Sequence, residues 1–157
     1  GSELVLLVKK ICELIESGAD FETVVEKAEL YSRHTHVVFA LSSFNNLVKN
    51  GRMSKIVGFV ANKLGFWGIG IGSEQGTIEI KQKIRGSKKA LDAIIEDMKE
   101  RGYNCGKVVI SHCRNAEFAE SVKSAIQSVW DKAEVKIVHA RGLCSYYAEK
   151  GGLIIGF

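Results

Sequence analysis

The chain of 157 residues contains no proline. Every turn must therefore be made by Gly, Asn, Asp or Ser, and the 16 glycines supply most of that capacity. It also lacks a long hydrophobic run. The apolar stretch Leu4 to Val8 is cut off by Lys9 and Lys10, well short of the roughly 18 residues of a membrane-spanning helix. Strong net charge is missing too, since 22 basic and 18 acidic side chains leave +4. That balance does not by itself argue for nucleic acid. The four cysteines Cys12, Cys105, Cys113 and Cys144 form no C-x-x-C pair, and no secretory segment is seen. This pattern predicts buried free thiols in a reducing cytoplasm.

What is present is one domain's worth of chain with 46% hydrophobic residues, enough for a real core. Gly1-Ser2 reads as a remnant of tag removal. Leu4, Leu7, Val8, Ile11, Leu14 and Ile15 recur at helical spacing and predict a first helix over 3–16, stopped by Ser17-Gly18. Asp20 caps a second over about 21–32. These two form a helical hairpin (3–35), and an α/β unit occupies 36–157. Within it a strand over 37–41 precedes a short helix, Phe44 to Lys49, capped by Ser42-Ser43 and stopped at Asn50-Gly51.

An apolar helix is expected over 53–64, closed by Gly65, and two strands over 66–72 and 77–84 join in a hairpin. Ser87 is expected to cap an amphipathic helix with Leu91, Ile94, Ile95 and Met98 inward. Strand 107–111, helix 116–130, strand 134–139 and strand 152–157 complete a mixed α/β fold. The expected architecture is a two-layer, mixed sheet of five to six strands with helices on one face.

Four features bear on function. Gly68, Gly70 and Gly72 share one side of their strand, with Trp67, Ile69 and Ile71 on the other. Glycines in register imply close approach, either by a tightly packed helix or by an apolar ligand in a groove. Arg52 follows Gly51 at an expected helix start, where the helix dipole disfavours a cation without an anion nearby. A carboxylate or phosphate head suits its fork of donors, and a surface ion pair is the alternative.

Lys81, Lys83 and Arg85 are expected on one strand face, followed by Lys88 and Lys89 in a first helical turn. They read as a solvated face, as a dock for an acidic protein, or as a nucleic-acid site; the last lacks interleaved aromatics. His34, His36 and His112 offer no recognised zinc spacing. Cys113 with His139 as base is the residual hydrolase reading.

The run Leu41-Ser42-Ser43-Phe44-Asn45-Asn46-Leu47-Val48-Lys49-Asn50-Gly51-Arg52-Met53-Ser54-Lys55 resembles the leucine-rich helix and Gly-Arg-Ile-Ser motif of the DegV family of bacterial fatty-acid-binding proteins. Gly76-Thr77-Ile78-Glu79 and Arg85-Gly86-Ser87-Lys88-Lys89-Ala90-Leu91 extend the resemblance over nearly the whole chain. It implies the second domain of a two-domain protein that is not an enzyme and uses no cofactor. In that reading a first domain holds the lipid carboxylate and this one encloses the acyl chain.

By that resemblance Arg52 meets the head group, and Arg85, Lys88 and Lys89 meet a fatty acid kinase. Lys81 and Lys83 join them as candidate partner contacts. Ser54, Phe59, Trp67, Gly68 and Gly70 are candidate ligand contacts. Tyr147-Ala148-Glu149-Lys150-Gly151 stands where the family has His-Thr-Gly-Pro-Gly, so Tyr147 replaces the head-group histidine. Gly65-Phe66-Trp67-Gly68 replaces Asn-Ile-Lys-Pro, with Trp67 expected to narrow the tunnel. The expected ligand is a long-chain fatty acid or related lipid, and a nucleic-acid module using Lys81 to Lys89 is the alternative.

Overall fold

A computed structural model describes residues 1–53, 65–73 and 76–157. The expected helix over 53–64 lies outside these apart from Met53. Two helices open the chain, α1 (Ser2–Glu16) and α2 (Phe21–Arg33). Asp20 Oδ1 accepts the Thr23 amide at 2.8 Å and caps α2 as its sequence position requires. The chain continues through β1 (Val37–Leu41), α3 (Asn45–Lys49), β2 (Phe66–Gly72) and β3 (Ile78–Arg85). Then come α4 (Ser87–Glu100), β4 (Lys107–His112), α5 (Ala116–Val129), β5 (Glu134–His139), α6 (Gly142–Ala148) and β6 (Leu153–Gly156).

The six strands form one mixed sheet in the order β3-β2-β1-β6-β4-β5. Only β4 and β5 run parallel, as their joining helix α5 demands. The class and strand number follow the expectation, but helices cover both faces of the sheet rather than one. On the first face Val38, Ala40, Ile69, Val108, Ile110, Leu153 and Ile155 pack against Ala93, Ile94 and Met98 of α4 and against Phe118, Val122 and Ile126 of α5. On the second face Phe39 and Leu41 pack with Phe44, Leu47 and Ala148. There α1 also lies against β6, where Gly156 leaves no room for a Cβ beside the backbone of Ser2 and Glu3. Ser2, grouped with Gly1 on sequence grounds, is fully buried; its hydroxyl donates to Ile154 O at 2.7 Å and meets Ser111 Oγ at 2.8 Å.

Three local expectations change. The inward face of α1 is set by Ser2, Leu6 and Leu14, while Leu4, Val8 and Ile15 point to solvent. Helix α4 is entered through Gly86 at φ 92° with no side-chain cap, so Ser87 is its first residue rather than its cap. Cys12 and Cys105 are exposed and Cys113 and Cys144 half-buried, instead of all four being core. Cys12 falls off the Leu6–Leu14 stripe, and Cys105 sits in the turn that enters β4. Helix α6 was not expected at all, because it is a short helix of 7 residues, about two turns, without a capping side chain.

The glycine side of β2 faces the second layer, and aromatic rings fill it. A Cβ on Gly68 would overlap the Phe44 ring, and one on Gly70 would overlap both the Phe39 ring and the backbone oxygen of Glu79. A flexible ring can give way more easily than a strand backbone. Gly70→Ala is therefore expected to cost about 1–3 kcal/mol by overpacking, and Gly68→Ala less, in urea denaturation monitored by tryptophan fluorescence.

Candidate functional site

Arg52 owes its position to the way α3 ends. Gly51 adopts φ +68°, its amide donates to Val48 O at 3.1 Å, and the Arg52 amide donates to Leu47 O at 2.8 Å. This pair of bonds is a Schellman stop, which needs a residue free to enter the left-handed region at Gly51. Arg52 thus follows a helix C-terminus, where a cation is favoured. The dipole argument for a nearby anion therefore loses its basis within the described residues. What the structure adds is a neighbour: the exposed guanidinium lies 5.9 Å from the centre of the Tyr147 ring. The two head-group candidates, ninety-five positions apart in the chain, are brought together.

Behind Tyr147 lies an apolar cleft of about 80 Å³, lined by Phe39, Leu41, Leu47, Ile78, Tyr147, Ala148 and Ile154. Its walls come from α3, α6 and the second face of β1, β3 and β6. Gly68 and Gly70 sit on that same face, but the Phe44 and Phe39 rings occupy the space above them. An apolar guest would meet those rings before the bare strand. Trp67 belongs elsewhere. Strand alternation puts it on the opposite face, stacked on Phe118 at 4.7 Å, so it does not narrow this cleft. Ser54 and Phe59 lie outside the described residues.

The basic segment is also rearranged. Ile69 pairs with Gln82 but Gly70 pairs with Ile80, which leaves Lys81 as the extra residue of a bulge. Ile78 and Ile80 consequently face the cleft side, Ile84 faces the other core beside Trp67, and Lys83 and Arg85 share the cleft side opposite Gly68 and Phe66. The expected single basic face does not form. Lys81, Lys83, Arg85, Lys88 and Lys89 are all exposed and instead follow an edge strand and the first turn of α4. Charges along such an edge also discourage pairing with another strand.

Cys113 and His139 are kept apart. His112 and His139 are register partners on the first face, with ring centres 4.6 Å apart, while Cys113 packs on the second face with its thiol 3.8 Å from Ser145 O. His112 is buried and accepts the Asn115 amide on Nδ1 at 3.1 Å. Burial, and then the neighbouring His139, hold its pKa below the usual histidine value. Among the described residues no three His, Cys, Asp or Glu side chains converge as a metal site requires. A second cavity, about 340 Å³, lies at the other end of β1 and includes Arg101 and Lys107 in its wall. Both cations are already paired, Arg101 with Asp97 at 2.9 Å and Lys107 with Glu13.

Glu149 is the residue that the sequence did not point out. It has φ 54°, accepts the Asn46 amide on Oε1 at 2.8 Å and accepts the Ser43 hydroxyl on Oε2 at 2.5 Å. A carboxylate from α6 thus caps α3, in place of the local Ser42-Ser43 cap. Asn46 Nδ2 donates to Tyr146 O at 2.8 Å and Asn50 Nδ2 to Tyr146 Oη at 2.9 Å. These bonds tie α3 to α6 and hold the two walls of the cleft at one spacing.

The model of the DegV family, described as uncharacterised proteins, matches residues 1–157. The chain belongs to the DegV family. A DegV domain-containing protein of Streptococcus pyogenes is 43% identical over 157 residues, which is 100% of this chain and 56% of the relative. Among solved structures, the Streptococcus pneumoniae fatty acid kinase B3 protein loaded with linoleic acid superposes with a TM-score of 0.97 at 41% identity, over 100% of this chain and 56% of that one. A DegV family protein of Eubacterium eligens loaded with heptadecanoic acid gives 0.96 at 35% identity, over 99% and 56%. The DegV chain described here thus spans little more than half the length of the relatives it matches.

Two outcomes follow for the DegV cleft and its neighbours. Glu149→Ala removes the cap of α3 and two charge-assisted bonds and is expected to cost about 1–2 kcal/mol, seen as a lowered thermal midpoint. Below the unfolded histidine pKa of 6.5 the unfolded chain binds a proton that the folded His112 resists. Stability is therefore expected to be full above that pH and to fall as the pH drops through and below it. Urea midpoints at pH 7.5 and 5.5 should show the drop, and His112→Gln should show a smaller one.

Proposed function

We propose that the protein binds a fatty acid or similar anionic lipid without catalysing its reaction. The observation that carries this reading is the pairing of an apolar cleft with a guanidinium beside one of its walls, 5.9 Å from the Tyr147 ring. Apolar walls favour an acyl chain by roughly 0.8 kcal/mol per buried methylene. Arg52 suits a carboxylate, to which it can donate two parallel bonds. Relatives at 41% and 35% identity carry linoleic and heptadecanoic acid, which supports the same ligand class here.

The described walls enclose about 80 Å³, below the roughly 300 Å³ at which ligand pockets begin. In our reading they are one part of the site, and the head group lies between this domain and a further domain of the longer polypeptide. The exposed cations Lys81, Lys83, Arg85, Lys88 and Lys89 would dock an acidic surface of a partner kinase that acts on the bound lipid. The name of the pneumococcal relative supports that partner class. Cys113 and His139 pack on opposite faces of the sheet, which argues against a thiol served by that base.

Native mass spectrometry of the full-length protein is expected to show a lipid-sized adduct, and Arg52→Ala to weaken fatty acid uptake about tenfold, the equivalent of one charge-assisted bond. Absence of any adduct, together with no uptake at micromolar fatty acid, would overturn the reading. Lys83→Glu with Lys88→Glu is expected to leave uptake unchanged and to weaken capture by the kinase.

A further inference from the structure

The sheet ends in two different edges. On β3 the bulge at Lys81 breaks the register, which hinders the addition of a further strand. On β5 all 6 residues pair with β4 without a shift, from Glu134 with Lys107 to His139 with His112, and no strand lies beyond it among the described residues. The Glu134 amide donates to Gly106 O and the Ala140 amide to His112 O, each at 2.9 Å. Amides turn to alternate sides along a strand, so those of Lys136 and Val138 also turn to β4, while those of Val135, Ile137 and His139 turn outward. Their outward donors and acceptors form an open row.

A groove of about 490 Å³ runs along Glu134, Val135 and Lys136. Its walls come from both faces of the sheet, with Lys9 of α1 on the second and Lys123 of α5 on the first. Val135 and Ile137 pack into the first core, so Lys136 points to the side of α1. Lys9, Lys107, Lys123 and Lys136 line this groove, against a single acid, Glu134. Lys107 is paired with Glu13, and the other three lysines have no ion pair among the described residues.

We infer that the β5 edge accepts an extended acidic segment of a partner protein as a seventh strand. The outward row suits another strand, which offers its own donors and acceptors at the same two-residue repeat. Side chains of the added strand alternate between the two faces. Carboxylates on them meet Lys9 and Lys136 on one face and Lys123 on the other. Charge selects this occupant over a second copy of the chain, whose β5 would bring the same lysines against the first set. The surface lies at the opposite edge of the sheet from the basic run of β3, and it does not depend on the lipid reading.

The test uses the full-length protein and a fluorescent eight-residue peptide of Val, Thr and Glu, with Glu on both faces of its extended form. Saturable binding in low salt is expected, at least tenfold weaker for the same peptide with Lys at each Glu. Methylation of all the peptide's backbone nitrogens is expected to abolish binding, since strand addition needs those amides. By NMR the amides of Val135, Ile137 and His139 are expected to exchange with solvent faster than those of Lys136 and Val138 in the free protein, and to slow at least tenfold with peptide bound. Lys123→Glu with Lys136→Glu is expected to weaken binding about tenfold, as loss of two surface ion pairs requires, and to leave fatty acid uptake unchanged. Absence of binding at millimolar peptide would overturn the inference, as would equal binding of the methylated or the lysine peptide. Outward amides already protected in the free protein at every concentration mean that the polypeptide itself covers the edge. Protection that grows with protein concentration means a second copy. Either result overturns the inference too.

Discussion

The ring of Phe44, fully buried over Gly68, is the contact on which the second layer of this domain depends. Phe44 immediately precedes α3, so seating its ring on the bare strand fixes where that short helix lies. A five-residue helix has no stability of its own. It is held by Phe44 and Leu47 below and by the Glu149 carboxylate at its start. Its Schellman stop then delivers Arg52 to the Tyr147 ring. A side chain on Gly68 would press on the Phe44 ring, which must tilt to make room, so the seat of the helix depends on what stands at that position.

The sheet divides the labour. Its first face, under α4 and α5, is a dense aliphatic core built from Val38, Ile110, Leu153, Ile94 and Ile126, and it carries none of the candidate head-group residues. Among the described residues, its second face is filled less completely. Phe39, Leu41, Leu47 and Ile154 leave a cleft there, and α1 covers only the part over β4 and β6. An apolar surface that the described residues leave uncovered on one face of the sheet is where a long apolar ligand can gain burial energy.

Much of the fold was legible because its signals are local. Helical periodicity identified α1, α2, α4 and α5, and the Asp20 cap and the Gly51 stop were placed by residue type alone. The turn residues around Ser73 to Gly76 marked the β2–β3 hairpin. Of the candidate site, Arg52 and Tyr147 were named by motif, and the glycine face of β2 by alternation. The rest was not legible for stated reasons. Counting twos along β3 fails at Lys81, since a bulge exists only relative to the partner strand. Helix α6 lacks a cap and a full period, and Glu149 acts on an amide 103 positions away.

The amino-acid sequence by itself determined most of the element types, the mixed α/β class and part of the chemistry available: an arginine after a tight turn, a glycine-striped strand and a run of basic residues. Those follow from backbone preferences and side-chain patterns that act within a few residues. Only the tertiary structure decided which face each residue serves. It set Trp67 and Ile84 in one core and Ile78 and Ile80 in the other, parted Cys113 from His139, and capped α3 with Glu149. Sheet pairing and helix docking join positions far apart in the chain, and no local pattern encodes such a distance.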